Sequence, residues 1–132
     1  MKKYELTKET KKVEDVTLYR IKALRTFGDV KKGDLGGWIE KEDNLSNYGN
    51  CWVYDNAEVY ENAWIYDNAR VSGDARVSGD AEVFDNASVY GNAQVFENAK
   101  VYENAWVFGN AEVYDDAEVC GDGIVSGDAK VK

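Results

Sequence analysis

The sequence predicts an all-β fold, a single-stranded parallel β-helix, on three observations. From Val53 to Val131 an aliphatic residue recurs every six positions, fourteen times in all, thirteen times as Val and once as Ile65. Four residues after each of the first thirteen stands Ala, from Ala57 to Ala129 with Gly123 the exception, always preceded by Asn or Asp. The charge changes where the repeat begins. Residues 1–50 carry 11 basic and 9 acidic groups, a balance of +2, and residues 51–132 carry 5 and 16, a balance of −11, within a chain of 132 residues and net charge −9. A chain of that length makes one structural unit rather than two.

The N-terminal part comes first. Tyr4-Glu5-Leu6-Thr7 and Val16 through Leu24 read as two strands separated by a polar loop. Phe27 through Ile39 is rich in Gly, and a phosphate cradle is the alternative to a structural turn. A P-loop needs Gly-Lys-Ser or Gly-Lys-Thr ahead of a helix, and neither is present. Counting back by sixes from Ala57 gives Cys51, Leu45 and Ile39, so the small-residue slot continues in degraded form. The expected division is an N-terminal β cap over 1–38 and the β-helix over 39–132. The hairpin would cover the open strand edges of the first coil, since atypical terminal units cap solenoids.

The repeat itself does not fit an α-helix. Six residues advance about 600° on a helix, so successive Val residues never form one stripe. A strand fits, because Ala and the Val two residues later share a face while the neighbours of that Val point away. The pair after the outward aromatic, such as Asp85-Asn86 or Gly91-Asn92, is turn chemistry. The Asn of each pair, as at Asn86 and Asn92, is expected in the left-handed backbone region. A hexapeptide is then one short strand and one corner. It cannot bury its own apolar face, so units coil three to a turn of about 18 residues and stack. Residues 51–132 supply roughly four and a half such coils, with Val89 among the interior residues.

Sorting the outward residues in threes gives three walls. The wall built on Val53, Val71, Val89, Val107 and Val125 presents Trp52, Tyr54, Tyr90, Trp106, Phe108 and Ile124, with Arg70 its one charged residue. The other two walls mix aromatics with Glu, Lys and Arg. An apolar wall needs covering, so those six residues are the expected interface of a homo-oligomer. The last coil, from about Val113 to Val131, is the competing contact surface, with Lys130 and Lys132 placed to discourage edge stacking.

Composition removes several functions. The chain has no His, hence lacks the commonest general base and metal ligand. Cys51 sits in an inward slot and reads as a core thiol, and Cys120 is flanked by acidic residues that oppose thiolate formation. Asp67, Asp85 and Glu103 would stack at one corner, better read as a solvated carboxylate ladder than as a calcium site. No catalytic residue, cofactor or metal is expected. The acidic balance argues against direct nucleic-acid binding, while leaving room for an acidic decoy that occupies the basic groove of a host protein partner. No apolar run reaches membrane-span length and no secretory leader opens the chain, so a soluble cytoplasmic protein without membrane contact is expected.

The run from Leu18 through Val30, then Gly33, Gly36-Gly37-Trp38, Leu45-Ser46, Gly49, Cys51-Trp52 and Tyr54-Asp55, resembles the N-terminal part of the YdcK-like hexapeptide-repeat proteins. Close variants are typical of small bacterial, phage and prophage proteins. The resemblance implies a left-handed β-helix with an N-terminal cap. It implies little about activity, because that group is called transferase-like by fold alone. The acyltransferases with this helix usually place a catalytic His between subunits and often carry a projecting loop, and this repeat has neither. The reading is a non-enzymatic binding or scaffold module, with the decoy and an acyltransferase-like enzyme as alternatives.

Overall fold

The structure, a computed structural model, describes residues 2–132. Its repeat region is a solenoid of two-residue strands in three parallel sheets, one per wall. Wall one contains Trp52–Val53, Arg70–Val71, Ser88–Val89, Trp106–Val107 and Ile124–Val125. Wall two runs from Glu58–Val59 to Lys130–Val131, and wall three from Trp64–Ile65 to Glu118–Val119. Partners across adjacent coils lie 18 residues apart, as Val89 does from Val71 and Val107. From Val53 to Val113 every Val or Ile of the slot is fully buried, as is nearly every Ala between them. The interior is therefore a dry column of small aliphatic side chains.

The corners follow a rule that differs from expectation. The positive φ falls on the third residue of the unit, at 58° for Asp85 and 68° for Gly91, and not on Asn86 or Asn92. The chain turns immediately after the outward aromatic, and the following Ala closes the turn by donating its N–H to that aromatic's carbonyl, as Ala87 does to Phe84 at 3.3 Å. The Asn N–H instead joins the ladder between coils, with Asn86 N donating to Glu103 O at 2.9 Å. An acidic residue is tolerated in the left-handed region because its carboxylate accepts the N–H at the same corner one coil on. Asp85 N donates to Asp67 Oδ2 at 3.3 Å, Glu103 N to Asp85 Oδ2 at 3.1 Å, and Gly121 N to Glu103 Oε1 at 2.8 Å. The expected solvated carboxylate ladder is thus a hydrogen-bonded column of side chain to backbone.

The N-terminal part departs from the simple cap in three ways. First, β1 (Tyr4–Val13) and β2 (Val16–Ala23) form one long hairpin, and the polar residues 8–13 are strand rather than loop. The turn is only Glu14-Asp15, with Glu14 at φ 56°. Second, β3 (Leu35–Ile39) pairs antiparallel with β2 and parallel with Glu58–Val59, so the hairpin prolongs wall two instead of crossing all three edges. The end of the prism is plugged by side chains, with Tyr4, Ile21, Phe27 and Val30 packing in one cluster with Trp52 and Val53. Third, Ile39 pairs with Val59 and Leu45 bridges Ile65, so both occupy the large aliphatic slot, not the small-residue slot. Two extra residues before Cys51, where Gly49 turns with φ 72°, shift the count. Cys51 itself is fully buried, one coil from Ala69 in the small slot.

The Gly-rich segment has a packing role as well as a turning one. Gly36 and Gly37 lie inside β3, where a Cβ would meet the Val53 carbonyl and the Ala57 carbonyl, each at 2.6 Å. Only glycine lets this strand press against the first coil.

Candidate functional site

Wall one holds the six residues expected at an interface, and the fold divides them. Trp52 is 1% exposed. The sequence pattern placed it outward, but the cap folds over it, with Phe27 edge-on at 5.3 Å and Tyr4 at 6.2 Å. Trp52 is an intramolecular anchor and leaves the interface. Tyr54 is half-buried, and its Oη donates to Asp29 Oδ1 of the cap loop at 2.8 Å. Burial, reinforced by that carboxylate, pushes the Tyr54 phenol far above its ordinary range. Tyr90 and Phe108 are half-buried because they cover one another, rings 4.8 Å apart and 4° from parallel. Trp106 and Ile124 are the open members, 47% and 62% exposed, and they are cross-strand neighbours.

Above Trp106 lies a shallow recess of about 350 Å³. Tyr54 and Tyr90 line it from the coils on either side of Ser72, and Arg70, Ser88, Trp106, Asp29 and Asp55 complete the lining. It exists because the aromatic slot lapses to Ser at position 72 while the coils on either side keep their rings. Asp29, Ser72 and Ser88 were not singled out from the sequence as site residues. The lapse in the aromatic row was a visible signal for Ser72, whereas the arrival of Asp29 from the cap was not visible.

The outward aromatics of the other walls are largely accounted for within the chain. On wall three Trp64, Tyr66, Phe84 and Tyr102 form one continuous stack with centroid separations of 3.9, 4.8 and 5.0 Å. Tyr66 and Tyr102 donate to Glu82 at 2.8 Å and Glu118 at 2.7 Å, tying ring to ring and ring to wall. On wall two the hairpin covers Glu58, which pairs with Lys11 at 2.6 Å and Arg76 at 3.4 Å. Among the described residues no group of three or more acidic or thiol side chains converges as a metal site, and no helix is long and apolar enough to cross a membrane. Cys120 is exposed and Cys51 buried, and neither is in a disulfide.

The comparison with known proteins falls on these coils. Residues 63–79 and 69–83 match the family model of the YdcK β-solenoid repeat. These coils resemble YdcK-type solenoid repeats. An Escherichia coli (strain K12) protein described as the uncharacterized acetyltransferase YdcK is 42% identical over 64 residues, covering 41% of this chain and 19% of the relative. The chain therefore matches about a fifth of that relative's length.

Proposed function

We propose that this chain is a non-enzymatic binding or scaffold solenoid that associates with a second copy of itself through the lower part of wall one. The β-solenoid repeat suits such a role, because stacked coils present long, flat, rigid faces. The observation that carries the reading is the pairing of Trp106 and Ile124, adjacent in register, exposed, and flanked by Phe108 on a wall whose only cation is Arg70. Exposed aromatic clusters of this kind mark the centre of interfaces. A two-fold arrangement would bring the same patch of each copy together and close the assembly. Sedimentation or light scattering of the chain and of Trp106→Glu combined with Phe108→Glu tests it. The expected result is an oligomer that becomes a folded monomer in the double variant. A wild type that is monomeric at tens of micromolar, about the range of ordinary specific affinity, would show that the wall serves a different partner. An unchanged mass in the variant would move the contact to the last coil.

The relative's description gives acyl transfer as a second reading, favoured by the 42% identity over 64 residues. Calorimetric titration with acetyl-CoA addresses it. Saturable binding would favour an acyltransferase-like protein over a scaffold.

A further inference from the structure

Between Tyr54 and Tyr114 the slot after each interior residue is aromatic except at Ser72 and Ser78. Where successive coils both carry a ring, the rings stack, with centroids 4.8 to 5.1 Å apart and planes within 4°. At Ser72 the row on wall one is interrupted for a single coil. Tyr54 and Tyr90 are then two coil spacings apart, about 10 Å, a separation that admits one flat ring at stacking distance from each. The rings are held for that purpose. Tyr54 is tied to Asp29 through its hydroxyl at 2.8 Å, and Tyr90 is backed by Phe108 at 4.8 Å.

We infer that the Ser72 recess binds a neutral, planar heteroaromatic ring of the nucleobase type, stacked between Tyr54 and Tyr90. The polar lining explains the class. Arg70, Ser72 and Ser88 offer hydrogen-bond donors. Asp29 and Asp55 each have one carboxylate oxygen engaged, by Tyr54 Oη at 2.8 Å and by Gly73 N at 3.0 Å, which leaves the second oxygen of each as an acceptor. A nucleobase edge, with donors and acceptors side by side, matches this mixture, and a plain phenyl ring does not. Arg70 makes no ion pair or side-chain hydrogen bond among the described residues, so its guanidinium is available to an acceptor edge. Two carboxylates against one guanidinium, in a chain of net charge −9, disfavour a phosphorylated ligand and select the free base or nucleoside.

The second lapse shows what the first has and it lacks. At Ser78 the corresponding cation, Arg76, is engaged by Glu58 at 3.4 Å, and Tyr60 is buried against the hairpin. Glu14 and Glu61 line that side. The inference goes beyond the proposed self-association, because it concerns a small ligand held between Tyr54 and Tyr90; the recess meets the contact patch only at Trp106, which lines both.

The test is titration of the full chain with adenosine and guanosine, by calorimetry or ligand-observed NMR, beside N-acetyltryptophanamide as a ring with a peptide character. At least one nucleoside should bind saturably at or below millimolar concentration. Tyr90→Ala should weaken it about tenfold, within the range of one base–aromatic stack. Ser72→Tyr, which completes the row, should abolish binding while raising the melting temperature and leaving the sedimentation mass unchanged, and Ser72→Leu should abolish binding without a ring. Failure of both nucleosides to bind, undiminished binding by either Ser72 variant, or tighter binding of N-acetyltryptophanamide than of either nucleoside would each overturn the inference. The last result would assign the recess to an aromatic side chain of a protein.

Discussion

The side chains that fill the solenoid between Val53 and Val119 are Val, Ile and Ala, and the other buried residues of that range, Glu58 and Tyr60, lie outside the column. The junction with the cap buries quite different groups: Lys3, Tyr4, Asn44, Cys51 and Trp52. Each polar one is satisfied individually. Lys3 Nζ donates to Cys51 O at 2.8 Å and lies 3.3 Å from Cys51 Sγ. Tyr4 Oη shares its one proton between Leu45 O at 2.6 Å and Glu42 O at 3.0 Å. Asn44 accepts from Glu40 N and Lys41 N and donates to Glu61 O and Ala63 O at 2.8 to 3.1 Å. The repeat obtains its stability from one arrangement used many times, and each coil depends on its neighbours. The cap obtains its own from a few contacts used once. Damage to the first should spread along the molecule, and damage to the second should stay local.

The largest expected effect breaks the column. Val89 is fully buried between Val71 and Val107. Val89→Asp places a carboxylate where no donor can reach it, at a cost beyond the stability of a small domain. Circular dichroism should show loss of the β-sheet signal and of any cooperative melt. A variant that kept both would mean that adjacent coils tolerate a charge between them, and that the repeat is less uniform than its register.

How much of this was legible in the sequence follows the same division. The period of six fixes the slot of every residue from Val53 onward, because any error in phase would turn Val outward. Walls, interior and coil length are therefore readable from position alone. The cap has no period. Residues 8–13 became strand because pairing with β2 overrides their polar character. Ile39 and Leu45 changed slots because the two extra residues before Cys51 are invisible to counting. Trp52 was assigned correctly to wall one, and its burial depends on Phe27 and Tyr4, whose arrival no local pattern announces. The recess divides likewise, with Ser72 readable as a lapse in the row and Asp29 not.

An effect of intermediate size sharpens the comparison through pH. Burial pushes the Tyr4 phenol and the Cys51 thiol above their ordinary values, and it pulls the Lys3 amino group below its own. For Tyr4 and Cys51 the folded state holds the proton more tightly. Their contribution is complete below the unfolded values, about 8.5 for Cys and 10 for Tyr, and is lost as pH rises above them. Lys3 works in the opposite sense, since the unfolded chain binds more protons between its lowered folded value and about 10.4. Below about 10.4 the amine and the thiol oppose each other, and above it the amine no longer differs between the two states while the phenol still does, so the loss in alkali falls on the cap. Between pH 8 and 11, urea unfolding followed by Trp fluorescence in a chain carrying Trp64→Phe and Trp106→Phe, which leaves Trp38 and Trp52 at the cap as the reporters, should weaken before the β-sheet signal does. Tyr4→Phe should lower stability at pH 8 by roughly 1–3 kcal/mol, for the lost hydrogen bond and the carbonyls left without it, and flatten the alkaline decline. An equal decline in both signals, unchanged by Tyr4→Phe, would make cap and solenoid a single cooperative unit.

The smallest effect tests the rule of the corners, where the repeat comes closest to using residues one at a time. Asp85 has φ 58° and accepts the Glu103 N–H, while Asn86 has no positive φ and donates into the ladder between coils. Asp85→Gly removes one exposed hydrogen bond but relieves the left-handed backbone, and these oppose each other to within about 1 kcal/mol. Asp85→Val loses the bond and adds a β-branched residue in the left-handed region, for a net cost of about 1–3 kcal/mol. Asn86→Val meets no such backbone penalty, so it should fall between the two. Melting temperatures should therefore rank Gly at 85 above Val at 86, and Val at 86 above Val at 85. If Val at 86 proved the worse site, the bend would belong to the Asn after all, and the acidic column would be solvated rather than bonded. Because the arrangement recurs at Glu97 and Asp115, with φ 58° at both and Asp115 N donating to Glu97 Oε1 at 3.0 Å, the same ranking should hold at Glu97 and Asn98 on a different corner of the prism.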